Sequence, residues 1–542
     1  MARPALAVTL GIASLGLCGA GWAQSLTAVR AASDGASRSV PMGVADARHL
    51  LGRVGFGPTF GEVDAYARLS RADAVERLLS DVKTSAGAPP PAWVNEPPTP
   101  PRSLREGSVE QRQAFQQQEI RRGLELRAWW IGEMLAGPSP LTERMTLFWH
   151  NHFTSSQQKV RFVHLMYRQN LLLREKALGN FADLLHAVSK DPAMVIYLDN
   201  ASNRRDRPNE NFAREVMELF TLGEGNYSET DIREAARAFT GWSIDPDTGS
   251  FRWRPFIHDS GEKTVLGQKG NFNGDAVLDI LLEQPQTAQT VVGKLWREFV
   301  APDFNREDDR GEVNRIARVF RDSRYDIRTT LRELLLSQAF WAEDNRAALV
   351  KSPVDFVVGT LRQFDVRVSD AMPFALVTAG LGQNLFSPPN VKGWPGGEAW
   401  INSATLLSRK QFVERLFRGD EMRRTDAGMS MSASGEAQGE ARRDASGQGQ
   451  GQGTAQAQLR QAQFRARMSR AVDETRFDGE RWFRKLEDGA TLAGNKGSGN
   501  AVRDLSLERF VLASAPVNPV PAGVAGRERL RLLTLDPVYQ LK

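Results

Sequence analysis

VEQRQAFQQQEIRRGLELRAWWIGEMLAG, residues 109–137, and LTERMTLFWHNHF at Leu141–Phe153 decide the fold class. In both, and onward to Arg174, apolar residues recur at three and four positions, the spacing that gathers them on one face of a helix with about 3.6 residues per turn. The chain is therefore read as mainly α: a multi-helix globular body around one or two cores. Outward from this pair, the same patterning starts near Val44 and predicts helices at Phe181–Lys190, Asn209–Leu222, Glu229–Thr240, Asp275–Glu283, Thr287–Phe299, Glu312–Phe320, Asp326–Trp341, Pro353–Phe364, Met372–Leu381 and Ser403–Phe417. Two closing helices are expected at Leu505–Leu512 and Leu530–Tyr539.

The punctuation agrees with these spans. Thr59 with Glu62 and Ser228 with Asp231 have capping-box spacing, Pro353 suits a first helical turn, and Gly223 and Gly241 stand where left-handed terminators belong. Residues 243–266 alternate and carry turn residues, which predicts one small β-hairpin packed on the helices. The Pro-rich stretch Ala88–Pro101 reads as a stiff spacer outside the core.

Residues 1–23 combine Arg3, an apolar run from Ala5 to about Ala20, and small residues around Trp22, the layout of a secretory signal cleaved after Ala23. An uncleaved anchor and lipid attachment at Cys18 are the alternatives. The apolar run is short and rich in Gly and Ala for a spanning helix, and Leu17 sits where lipoprotein signals want Gly or Ala. The mature chain is expected to be periplasmic or extracellular. Cys18 is the one cysteine, so cleavage would leave no thiol and would exclude disulfides, cysteine nucleophiles and Cys-ligated metal sites together.

Residues 24–43 are read as a disordered lead-in, 44–421 as the helical main body, and 462–542 as the C-terminal helical part of the same domain. Between the last two, 422–461 is a Gly/Gln/Ala/Ser-rich insertion, almost without large apolar side chains and so unable to offset the entropy of ordering. The net charge of +5 is a small excess of 70 basic over 65 acidic residues, and no stretch concentrates the cations as phosphate tracking requires. Nucleic acid is not an expected partner.

Several phrases are too specific for generic helix: HLLGRVGFGPT at His49–Thr59, ERMTLFWHNHF at Glu143–Phe153, NENFAREVMELFTLGEGNYSETDIREAARAFTGW at Asn209–Trp242, SPPNVKGWPGGEAWINS at Ser387–Ser403, and LDPVYQLK at Leu535–Lys542. Together they resemble the bacterial family named domain of unknown function 1800 (DUF 1800), over nearly everything from Val44 to Lys542 except the insertion. The resemblance implies a large exported protein without an assigned activity. It carries no catalytic residues across.

Candidate chemistry therefore has to come from the residues. His150 and His152 are imidazoles that could ligate a divalent metal with Glu143, seven residues earlier on the stripe of His150. On a continuous helix His152 points about 200° away from His150 at about 100° per residue, so one ion needs an extended helix end. The plainer reading is capping or buried hydrogen bonds around core Trp149 and Phe153.

Glu210, Arg214 and Glu218 form a ladder at spacings of four, either a salt-bridged surface face or half of a polar site. A di-metal bundle centre would want paired Glu-x-x-His motifs, which are missing. His258 and Asp259 could be a base and its orienting acid, but neighbours on a strand face opposite ways. No nucleotide, flavin, phosphate-loop, Gly-x-Ser-x-Gly or His-Glu-x-x-His motif occurs.

The loop 386–400, with Asn390, Trp394 and Trp400, could be an aromatic platform for sugar or peptide, or could simply plug into the core. The first expectation is an envelope or extracellular binding or assembly protein with a polysaccharide or protein partner. A metal-dependent hydrolase or oxidoreductase using His150, His152 and nearby carboxylates is the alternative. An assembly role in which the insertion tethers a partner is the third.

Overall fold

Thr59 accepts a hydrogen bond from the backbone N–H of Glu62, whose carboxylate accepts from the backbone N–H of Thr59, so the predicted capping box starts the helix Phe60–Ala67. Ser228 and Asp231 do the same for Glu229–Ala238, and Pro353 occupies the first turn of Pro353–Gln363. The computed structural model describes residues 40–418, 475, 477–492 and 507–542. The expected signal, most of the lead-in and the polar insertion lie outside the described residues.

The chain is mainly helical, and the deciding pair of sequences forms the helices Val109–Ala136 and Pro140–His152. Both pack against Val163–Glu175. Buried apolar side chains from Ala47 to Tyr539 join one continuous cluster, so one core, rather than two, holds the described residues together. The last residues return to the first helix, Gly43–Val54. An antiparallel bridge pairs Leu541 with Val350, and Arg48 donates to the carbonyls of Phe510 and Val511. Among the described residues, no helix is long and apolar enough to cross a membrane.

Three expectations need correction. The single hairpin over 243–266 is two: Trp242–Ile244 pairs with Phe251–Trp253, and Lys263–Val265 pairs with Gln268–Gly270. Pro255, which has no N–H to give a ladder, starts the short 3-10 turn Pro255–Ile257 between them. The stiff connection 88–101 is not merely a spacer, because Trp93 is buried, its carbonyl accepts from His164, and Glu133 binds the N–H groups of Gly87 and Ala88. The long helix expected at Asp326–Trp341 breaks at Ser337, whose hydroxyl caps a new turn at Gln338–Trp341.

Candidate functional site

Glu143 is buried and already occupied. Arg174 grips both its oxygens at 2.7 and 2.8 Å, and the indole N–H of Trp130 donates to it at 2.8 Å. A carboxylate held by a bidentate guanidinium has its charge already matched inside the protein. His150, on the same stripe, is 1% exposed and enclosed by the rings of Trp130, Phe386 and Trp394. Burial pushes its pKa down to about 4, and Nε2 has no hydrogen-bond partner among the described residues.

His152 faces elsewhere. Nε2–H donates to the carbonyl of Phe220 at 3.1 Å, while Nδ1 accepts from the ammonium of Lys294 at 3.1 Å. That environment holds it neutral, with burial the first cause and the Lys294 charge the second. The helix runs unbroken through both histidines, so they diverge as helical geometry dictates, and Glu143, His150 and His152 are not brought around one point. Among the described residues, no group of three His, Cys, Asp or Glu side chains is placed to hold a metal ion.

The predicted ladder is interrupted. Asn211–Glu215 is α-helical, but Val216–Thr221 widens into a π-helix. The wider turn shifts register, so Glu218 leaves the stripe of Arg214. Arg214 instead pairs with Glu229 at 2.8 Å and with Glu210 at 3.4 Å, and Glu218 accepts from the hydroxyl of Tyr227 at 2.7 Å. The carbonyls freed at this helix end are taken by side chains: Leu219 by Lys294, Phe220 by His152 and Leu222 by Thr290. The sequence reading missed Glu215, a half-buried carboxylate whose pKa is raised by burial and by Glu218. A third acid one turn from Glu218 was the available signal, but the ladder spacing of four excluded it.

The loop 386–400 plugs into the body. Trp394 and Trp400 are only 5% and 7% exposed, so neither offers a stacking surface. Asn151 fixes the loop by accepting from the N–H of Trp394 at 2.8 Å. Gly393, at φ +81°, lets the backbone pass so close that an added Cβ would meet the Asn151 carbonyl oxygen at 2.8 Å. Asn390 is exposed, but its side-chain oxygen accepts from the N–H of Lys392. Lys392, at the loop's outer edge, lies 3.8 Å from Glu218.

His258 and Asp259 direct their hydrogen bonds to other partners. His258 Nδ1 lies 2.9 Å from the carbonyl of Thr240, and Asp259 pairs with Arg237 at 2.7 Å. The segment that carries them does present a surface. Trp253 is 40% exposed and Phe256 68%, the two aromatics among the large apolar side chains left open in the described residues.

The turn Arg204–Arg207 lies alongside, since Arg205 N–H donates to the carbonyl of Ile257 at 2.9 Å and Gly241 ties to both segments through Asn203 and Arg254. Arg204, Arg205 and Arg207 are exposed, and their guanidinium groups have no ion-pair or hydrogen-bond partner among the described residues. Asp206 is the one acid within that turn.

A protein-family model described as "Protein of unknown function (DUF1800)" matches residues 49–503. The chain belongs to that family. No curated protein and no solved structure matches it. The DUF1800 match takes in the helix of Glu143 and His150, the π-helical end, the plugged tryptophan loop and the exposed aromatic hairpin alike.

Proposed function

We propose that this DUF1800 protein works outside the cytoplasm as a binding protein for an acidic polysaccharide. The observation that carries the reading is the exposed pair Trp253 and Phe256 beside three arginines with no acidic partner among the described residues. Aromatic faces stack on sugar rings, and guanidinium forks match carboxylates in two parallel hydrogen bonds. The N-terminal segment, with its charge, apolar run and small residues before Gln24, supports an exported destination. The metal-dependent alternative would need His150 or His152 together with Glu143, Glu210 or Glu218 on one ion, and the diverging histidines with Glu143 held by Arg174 favour binding.

Titration calorimetry with a polyuronate oligosaccharide tests the proposal, with a neutral glucan and single-stranded DNA of equal charge as controls. Binding to the polyuronate should exceed both controls and weaken with salt, because exposed charges are screened over about 8 Å at physiological ionic strength. Trp253→Ala with Phe256→Ala should weaken it at least tenfold, and Arg204→Gln with Arg205→Gln and Arg207→Gln should remove most of the salt dependence. Equal affinity for DNA, or unchanged affinity in both variants, overturns the reading.

A further inference from the structure

Where the first described helix meets the last residues of the chain, buried and partly buried cations outnumber the carboxylates beside them among the described residues. Arg48, Arg53, Arg144, Lys351, Arg409 and Lys542 act electrostatically on one another or on a shared acid there, and the acids are Asp355 and Glu298. Arg144 binds Asp355 and lies 3.2 Å from Glu298; Lys542 Nζ lies 2.8 Å from Asp355. Among the described residues, the other four cations make direct contacts only with neutral groups. Arg48 donates to Phe510 and Val511 carbonyls, Arg53 to those of Phe299, Val300 and Asn345, and Arg409 to Gln540 Oε1 and the Lys351 carbonyl. Lys351 Nζ stands 3.9 Å from the centre of the Tyr539 ring, with no hydrogen-bond acceptor among the described residues.

Lys351 and Arg48 line a hollow of about 30 Å³, with Lys542, Gln363, Gly52 and Gly359 on its other walls, and the one carboxylate on its lining, Asp355, is already paired with Arg144 and Lys542. One ordered water needs about 10–15 Å³ on that measure, so the space takes a group of several atoms. Removing charges from water is costly unless an opposite charge or a full set of hydrogen bonds meets them. Burial, joined by Arg48, Arg409 and Lys542, holds the Lys351 ammonium well below its ordinary pKa, and Asp355 alone opposes that.

We infer that the hollow binds a small oxyanion, a carboxylate, phosphate or sulfate group, between the Lys351 ammonium and the Arg48 guanidinium. An anion there supplies the missing negative charge and the acceptor that Lys351 lacks. The site is separate from the exposed aromatic hairpin, so either can fail alone.

Thermal unfolding of the dialysed full chain tests it, with acetate, phosphate or sulfate titrated in the millimolar range against chloride at matched ionic strength. At least one oxyanion should raise Tm saturably, as a ligand of the folded state does. Lys351→Met should raise the anion-free Tm and abolish the response. Gly52→Leu should abolish it while keeping every charge, because no atom lies within 4 Å of where its Cβ would stand. It alone decides if Lys351→Met does not fold. Lys392→Met, at an exposed cation outside the hollow, should respond like the parent. No saturable rise with any oxyanion, or an equal rise in Gly52→Leu, overturns the inference.

Discussion

Glu143 and Arg174 bury opposite charges in the same hydrogen-bonded pair, so losing one strands the other. Glu143→Gln is expected to lower unfolding free energy by about 3–5 kcal/mol, read from urea unfolding, because an uncompensated buried guanidinium remains. A loss below about 1 kcal/mol would mean the pair is not what orders this face. His150 gives a pH signature. Its folded pKa of about 4 lies below the ordinary 6.5, so the unfolded chain binds the extra proton as pH falls between those values.

Stability from keeping His150 neutral is therefore present above about pH 6.5 and lost toward pH 4, the loss reaching about 2 kcal/mol at pH 5. His150→Phe should flatten that part of the Tm–pH profile relative to the parent; a parallel profile would refute it. At this scale the helical divergence of His150 and His152 was legible in the sequence. The partners were hidden: Arg174 lies 31 residues from Glu143, and Lys294 142 residues from His152, separations that local periodicity does not span.

Helix starts were legible because a cap is written within four residues, as Thr59 with Glu62 and Ser228 with Asp231 show. The π-helical turn at Val216–Thr221 was not, because tertiary partners for its freed carbonyls, Lys294, His152 and Thr290, come from other elements. The tryptophan loop was ambiguous for the same reason, as only its docking onto Asn151 decides between platform and plug.

A close approach between elements gives a sharp test here. Gly57 has φ +71°, and a Cβ on it would lie 2.7 Å from the Cα of Gly359 in the helix Pro353–Gln363. Gly57→Ala should cost about 2 kcal/mol or more from backbone strain and overpacking. Gly52→Ala, five residues earlier with open space at its Cβ, should be neutral or stabilising by about 0.5–1 kcal/mol. Equal effects of the two in chemical denaturation would contradict the close packing.

For the whole molecule, fold class and family were readable because periodicity and the five quoted phrases extend over most of the chain, and the DUF1800 match covers residues 49–503. The proposed binding surface was not. Trp253 and Phe256 sit among alternating residues with no signal of which side meets solvent, and the arginines at 204–207 become their neighbours only once Arg205 pairs with Ile257. Trp394 and Trp400, the more conspicuous aromatics in sequence, are used up by the core. The cationic interior was equally hidden, since Arg48, Lys351 and Lys542 are far apart along the chain and each alone reads as a surface charge.

Hydrogen exchange with and without a saturating polyuronate oligosaccharide tests the binding claim most directly, because it reports the occupied surface without any substitution. Slowed exchange confined to residues 203–207 and 251–258 is the predicted result. Slowing centred on the loop 386–400, or no slowing anywhere, would contradict it.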